Sequence, residues 1–112
     1  MAYHSGTIII FIETPIFTEE VTALLSEEEY GEFQQYLADN PGAGDVITGT
    51  GGMRKIRWSA NGKGKSGGVR VIYYHVAAAY QIRLVLIYRK GVTDNLTQAQ
   101  KKWLRNVTKG WQ

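Results

Sequence analysis

The run Val69-Arg70-Val71-Ile72-Tyr73-Tyr74-His75-Val76 constrains the fold more than any other part of the chain. It is dense in β-branched and aromatic residues, the types that suit a pleated strand. A second such run, Ile82 to Tyr88, follows after a short link around Ala77-Ala78-Ala79. A parallel neighbour would need a crossover of a dozen or more residues, and there is no room for one. The short link therefore suggests that the two runs pair as an antiparallel hairpin. Arg54 to Ser59 reads as a further strand, joined to Val69 by a turn rich in Gly and Lys, Asn61 to Gly68. Consecutive strands with no helix between them imply an antiparallel sheet and the α+β class.

The other half of the chain reads as helices. Thr7 to Glu13 has the character of a short buried strand. Pro15 suits the first turn of a helix, and Phe17, Val21, Leu24 and Leu25 fall on one face of it. Ser26-Glu27-Glu28-Glu29 is a capping box that opens a second helix, with Tyr30, Phe33 and Leu37 as its stripe. Asp39-Asn40-Pro41-Gly42 stops it, and Gly42 to Gly52 is loop. Thr97 to Gln100 is another capping box, followed by the apolar stripe Trp103, Leu104, Val107 and Trp111. The expected order is β-α-α-β-β-β-α, with an antiparallel sheet packed on two N-terminal helices. At 112 residues the chain suits one domain, 1–112, with residues 1–6 a flexible extension.

Charge divides the chain sharply. Nine acids and no Lys or Arg precede Met53; all 13 basic residues and one acid, Asp94, follow it. The halves carry −9 and +12, which give the net +3. Such asymmetry in one small domain suggests two faces with two kinds of partner, although acidic helices can also serve only to solubilise. The absence of cysteine excludes disulfides and thiol chemistry and fits a reducing cytoplasm. Ile8 to Ile12 is far too short to cross a bilayer, and the first residues lack the charges of a secretory leader.

The basic residues concentrate in one stretch without acids: Arg54, Lys55, Arg57, Lys63, Lys65, Arg70, Arg83, Arg89 and Lys90. Trp58, Tyr73, Tyr74 and Tyr88 interleave with them. Cations follow phosphates and flat rings stack on unpaired bases, so single-stranded RNA is a natural partner. The rings could equally be core, and for Tyr73 and Tyr74 core packing is at least as good a reading. Lys55 and Arg57 share a strand face, and Arg70 opens the next strand, near enough to converge with them. Three uncompensated cations repel one another, which a phosphate would relieve. A solvated basic face is the bland alternative. Gly64-Lys65-Ser66 ends like a phosphate-binding P-loop, but Ser59 stands where that motif needs glycine and a strand follows where it needs a helix. His4 and His75 are too far apart in sequence to suggest a metal pair.

The stretch from Gly49-Thr50-Gly51-Gly52-Met53-Arg54-Lys55-Ile56-Arg57 to Gly62-Lys63-Gly64-Lys65-Ser66-Gly67-Gly68-Val69-Arg70-Val71-Ile72-Tyr73-Tyr74 closely resembles the HigB branch of the RelE toxin superfamily. Asp45-Val46-Ile47, the helix with Glu28-Glu29-Tyr30 and Phe33, and Leu86-Ile87-Tyr88 with Lys90 extend the likeness over about residues 8 to 108. The resemblance implies a metal- and cofactor-independent endoribonuclease that cuts mRNA in the ribosomal A site by attack of the 2′-hydroxyl on the adjacent phosphate. It implies a cytoplasmic toxin blocked by a HigA-like antitoxin with a helix-turn-helix domain, operator DNA being bound only through that complex. Carried onto this chain, Arg70 would hold the scissile phosphate, Lys55 would move a proton or stabilise charge, and Arg57 would support them. Arg54, Lys63, Lys65, Arg89 and Lys90 would grip messenger or ribosomal RNA. RelE itself carries an arginine and a tyrosine beyond the last strand; here Gly91 to Leu96 supplies neither, which leaves the general base open. Two alternatives share the fold: a ParE-like inhibitor of DNA gyrase and a non-catalytic RNA-binding relative.

Overall fold

The computed structural model describes residues 8–59, 68–91 and 96–110. The expected extension at residues 1–6, Lys63, Lys65 and Trp111 lie outside the described residues. In chain order the elements are β1 (Ile10–Glu13), α1 (Pro15–Leu24), α2 (Glu27–Asp39), β2 (Asp45–Val46), β3 (Arg54–Trp58), β4 (Val69–Val76), β5 (Gln81–Arg89) and α3 (Gln98–Lys109). They form an α+β domain around one five-stranded sheet of order β1-β5-β4-β3-β2.

The β4–β5 hairpin is the spine of the sheet, antiparallel from Val69↔Arg89 to Val76↔Gln81. A single 3₁₀ turn, Ala77–Ala79, closes it, with Tyr80 in the left-handed region at φ 54°. A non-glycine residue there is strained and has to be held in place. The Tyr80 amide donates to Ala77 O at 3.2 Å, and its carbonyl accepts from Ile10 N at 2.9 Å. The turn thus also fixes the start of β1.

Two expectations need correction here. β1 pairs with β5 in parallel, so the sheet is mixed. Only a short link forces antiparallel pairing, and two helices separate β1 from the other strands. Nor is β1 buried: it is an edge strand, with Ile8 and Ile10 exposed.

The helices form where their caps dictate. Thr14 caps α1, its Oγ1 accepting from Phe17 N at 3.1 Å while donating to Val85 O at 2.8 Å, and Pro15 occupies the first turn. One side chain therefore starts the helix and ties it to β5. Ser26 and Glu29 form the reciprocal capping box of α2, and Thr97 and Gln100 that of α3. Each such cap contributes about 1 kcal/mol.

Helices cover both faces. Phe17, Val21 and Leu25 of α1 and its end, with Phe33 and Leu37 of α2, pack on Val69, Val71, Tyr73, Ile82, Leu84 and Ile87. On the opposite face Leu104 of α3 packs on Met53, Ile72 and Val85. A bulge makes the two cores compatible. Ile72 pairs with Leu86 but Tyr73 with Leu84, so Val85 is the extra residue. Val85 and Leu86 then both serve the α3 side, while Leu84 and Ile87 serve the other. Trp103, expected in the buried stripe of α3, is instead half-exposed, and Leu104, Val107 and Thr108 face the sheet.

Candidate nucleic-acid interface

The interface begins with the loop that feeds β3. Ile47 N donates to Met53 O at 2.8 Å, and Thr50 Oγ1 donates to Ile47 O at 2.6 Å and accepts from Met53 N at 3.2 Å. Thr50 is fully buried, and Thr108 Oγ1 of α3 donates to its carbonyl at 3.2 Å. Gly51 has φ +78°, and a Cβ there would stand 2.5 Å from Thr108 Oγ1. The Gly-Thr-Gly-Gly sequence is thus a clamp between β2, β3 and α3. It sets where β3 begins, and so which of its side chains face which way.

Lys55, Arg57 and Arg70 come together on the α3 side of the sheet. Arg57 pairs directly with Arg70, and Arg70 directly with Tyr88. Neighbouring strands lie about 4.8 Å apart, so the guanidinium stems of Arg57 and Arg70 and the Tyr88 phenol form one cross-strand row. Lys55 sits one step along the same face, opposite Ile72. α3 covers the other end of this face, over Met53 and Ile72, and leaves the Arg57–Arg70 end accessible: Arg57 is exposed and Lys55 and Arg70 are partly so. One N–H of Arg70, on Nη1, reaches Val69 O at 3.3 Å, which steadies the group along the strand. Among the described residues no carboxylate forms an ion pair with any of the three cations. The acid closest in register is Asp45, exposed on the edge strand β2 opposite Lys55.

The other basic residues are placed differently. Arg54 alternates to the helix side. Its Nη1 donates to Gly44 O at 2.7 Å and Gly42 O at 3.2 Å, and beside it Tyr73 OH donates to Pro41 O at 2.8 Å and accepts from Gly44 N at 2.9 Å. Together they fasten the turn after α2 to the sheet. Burial pushes the Tyr73 phenol pKa above its ordinary value, and burial, with a smaller push from Arg54, depresses that of His75. Arg89 pairs with Val69 and also lies on the helix side, exposed. Lys90 stands just past β5, exposed, its amide donating to Gly68 O at 3.1 Å. A Cβ at Gly68 would lie 2.1 Å from Trp58 O, so only glycine lets β4 start so close to β3. Both Arg89 and Lys90 thus sit at the end of the sheet where the Arg57–Arg70–Tyr88 row lies.

Tyr88 is the residue that sequence reasoning named without placing. It was one aromatic among several interleaved with cations; the register makes it the neighbour of Arg70. Only the pairing of β4 with β5 carries that information, and the bulge at Val85 shifts it by one residue from simple alternation.

The charge division becomes spatial as well. Glu19 and Glu20 lie on α1, and Glu27, Glu28, Glu29, Glu32 and Asp39 on α2, all on the helix side of the sheet. Lys55, Arg57, Arg70 and the basic helix α3 occupy the other side.

Fold and site define a small α+β domain with a basic row across one end of a mixed sheet. No family model matches the sequence. The fold is that of a RelE-like domain: the crystal structure of the isolated E. coli RelE toxin superposes with a TM-score of 0.56 at 13% identity, over 89% of this chain and 99% of that one.

Proposed function

We propose that the chain is a toxin of the HigB-like branch, a ribosome-dependent endonuclease that cuts mRNA in the ribosomal A site. The observation that carries the reading is the direct pairing of Arg57 with Arg70, with Lys55 on the same face and no acid ion-paired to any of them among the described residues. Two guanidinium groups side by side are costly in a resting protein and suited to a phosphate whose negative charge grows during reaction. The likeness of the fold to RelE supports it.

In the reaction the 2′-oxygen of one nucleotide attacks its own 3′-phosphate and the 5′-oxygen of the next nucleotide leaves. The products are a 2′,3′-cyclic phosphate and a free 5′-hydroxyl. Arg70 and Arg57 hold the non-bridging oxygens, and Lys55 stabilises or protonates the departing 5′-oxygen. A proton must leave the 2′-hydroxyl; the Asp45 carboxylate opposite Lys55 is the acceptor in the row, and the Tyr88 phenol beside Arg70 takes the proton only as its phenolate. Arg89 and Lys90 add grip on RNA around the same end, and Lys63 and Lys65, outside the described residues, are assigned the same role from the resemblance alone. As a toxin of this kind the single domain, 1–112, would act in the cytoplasm without metal or cofactor and be blocked by an antitoxin of HigA type.

Primer extension on an mRNA in a purified translation system tests this, comparing the wild type with Arg70→Ala and Lys55→Ala. The expected result is breaks within A-site codons that need ribosomes and fall by about 10²-fold or more in either variant, as for loss of a transition-state contact. No breaks from a wild-type protein that still arrests growth would overturn the reading and favour a gyrase target or plain RNA binding.

A further inference from the structure

α3 carries Lys101, Lys102, Arg105 and Lys109 and no acid. At 3.6 residues per turn these four fall within about 100° of arc. Lys101–Arg105 and Arg105–Lys109 are four apart and Lys102–Arg105 three apart, spacings at which like charges destabilise a helix. Only Lys109, in the last turn, gains from the helix dipole. The packing needs none of this, because α3 docks through Leu104, Val107 and Thr108, while Lys102, Arg105 and Lys109 are exposed.

The stripe is also rigidly related to the basic row. Thr108, one position before Lys109, bonds to Thr50 O, and a Cβ at Gly51 would touch Arg105 Cγ at 3.6 Å and one at Gly49 Lys101 Cδ at 3.8 Å. This is the clamped loop that leads into Lys55 and Arg57. The stripe and the row therefore lie on one side of the sheet, joined by one fixed loop.

The geometry points to a second RNA-binding surface, the Lys102–Arg105–Lys109 stripe of α3, which holds the phosphate backbone of double-helical ribosomal RNA while the row takes the single-stranded message. The inference rests on the ribosome-dependent reading above. The stripe is straight, stiff and about 10 Å long, and it offers charge without a stacking platform. Trp103, the exposed ring of the helix, lies roughly 100° around from Lys102 rather than among the cations. Charge with fixed shape and no base reader suits A-form RNA, which is recognised through its backbone and 2′-hydroxyls. A single strand would call for rings within the groove.

The test measures co-sedimentation with purified 70S ribosomes over a range of salt. It compares the wild type, the triple variant Lys102→Gln/Arg105→Gln/Lys109→Gln, and the double variant Gln98→Lys/Asn106→Lys, which adds one charge within the same arc and one about 40° beyond its edge. A 20-nucleotide single-stranded RNA serves as the second probe. The triple variant is expected to lose about tenfold or more in ribosome affinity, with the slope of log affinity against log salt reduced by roughly 2 to 3. Its affinity for the single strand should change far less. The double variant should gain in both ribosome affinity and slope, and it carries the test if the triple variant does not fold. Wild-type binding with unchanged affinity and slope in the variants overturns the stripe and leaves the function standing. Equal losses on both probes also overturn it, since the stripe then holds the message. A wild type that binds no ribosomes removes the ribosome reading and this inference together.

Discussion

Arg54, Lys55 and Arg57 show how much depends on one residue of register. All three are cations on one short strand, yet Arg54 is bonded to two carbonyls under the sheet while the others face outward. Arg54→Ala is therefore expected to lower unfolding stability by about 1–3 kcal/mol, the net worth of hydrogen bonds from a charged donor, one of them part-buried. Arg57→Ala removes a repulsion with Arg70, so its stability should change by less than about 0.5 kcal/mol while cleavage falls steeply. Urea unfolding beside the cleavage assay separates them; equal stability losses would show that the two faces are misassigned. His75 adds a pH dependence. Its folded-state pKa lies below the ordinary 6.5, so the unfolded chain binds the proton more readily and stability is lost as pH falls below that value. His75→Gln should flatten the fall in stability between about pH 7 and 5, and an unchanged slope would mean that other groups cause it. The shared face of Lys55 and Arg57 was legible from their spacing; the bonding of Arg54 to the turn after α2 was not, because the carbonyls it serves are twelve and ten residues away.

Among elements, the helices were readable because their signals are local. Thr14-Pro15, Ser26 with Glu29 and Thr97 with Gln100 each place a cap within four residues of its partner. The parallel β1 depends on contacts across some 70 residues, and the bulge at Val85 on which β5 residues must serve each of the two cores, neither of which a window of sequence reports. The Gly49–Gly52 loop lies between these extremes: its glycines announce a turn, but the turn's purpose appears only where α3 returns to it. Gly51→Ala forces a side chain into φ +78° and against Thr108 Oγ1. It is expected to destabilise the protein by about 1–3 kcal/mol and to lower cleavage even at temperatures where the protein stays folded, because β3 loses its fixed start. Thr108→Val should reproduce a milder form of both effects. Full activity in a folded Gly51→Ala protein would show that the loop does not position Lys55 and Arg57.

The whole molecule separates most of its charges across the sheet, with Arg54 and Arg89 on the acidic side and Asp45 on the basic side as exceptions. Its shortest extent is 23 Å, between two and three Debye lengths at physiological ionic strength, where the length is about 8 Å. Acids on α1 and α2 should therefore be nearly invisible to RNA held on the opposite side. Replacing Glu19, Glu20, Glu27 and Glu28 by Gln together is expected to change RNA affinity by less than about threefold at 0.15 M salt, with a larger effect at 0.01 M, where the Debye length reaches about 30 Å. Neutralising three cations of the basic side should cost about tenfold or more under the first condition and reduce the salt slope. Filter binding at the two salt concentrations checks both arms. If the acidic variant gains tenfold at 0.15 M, the two faces share one field, and the division of charge would be a device for tuning RNA affinity. If it does not, the acidic face is free to be altered, or occupied by a basic partner, without weakening the hold on RNA.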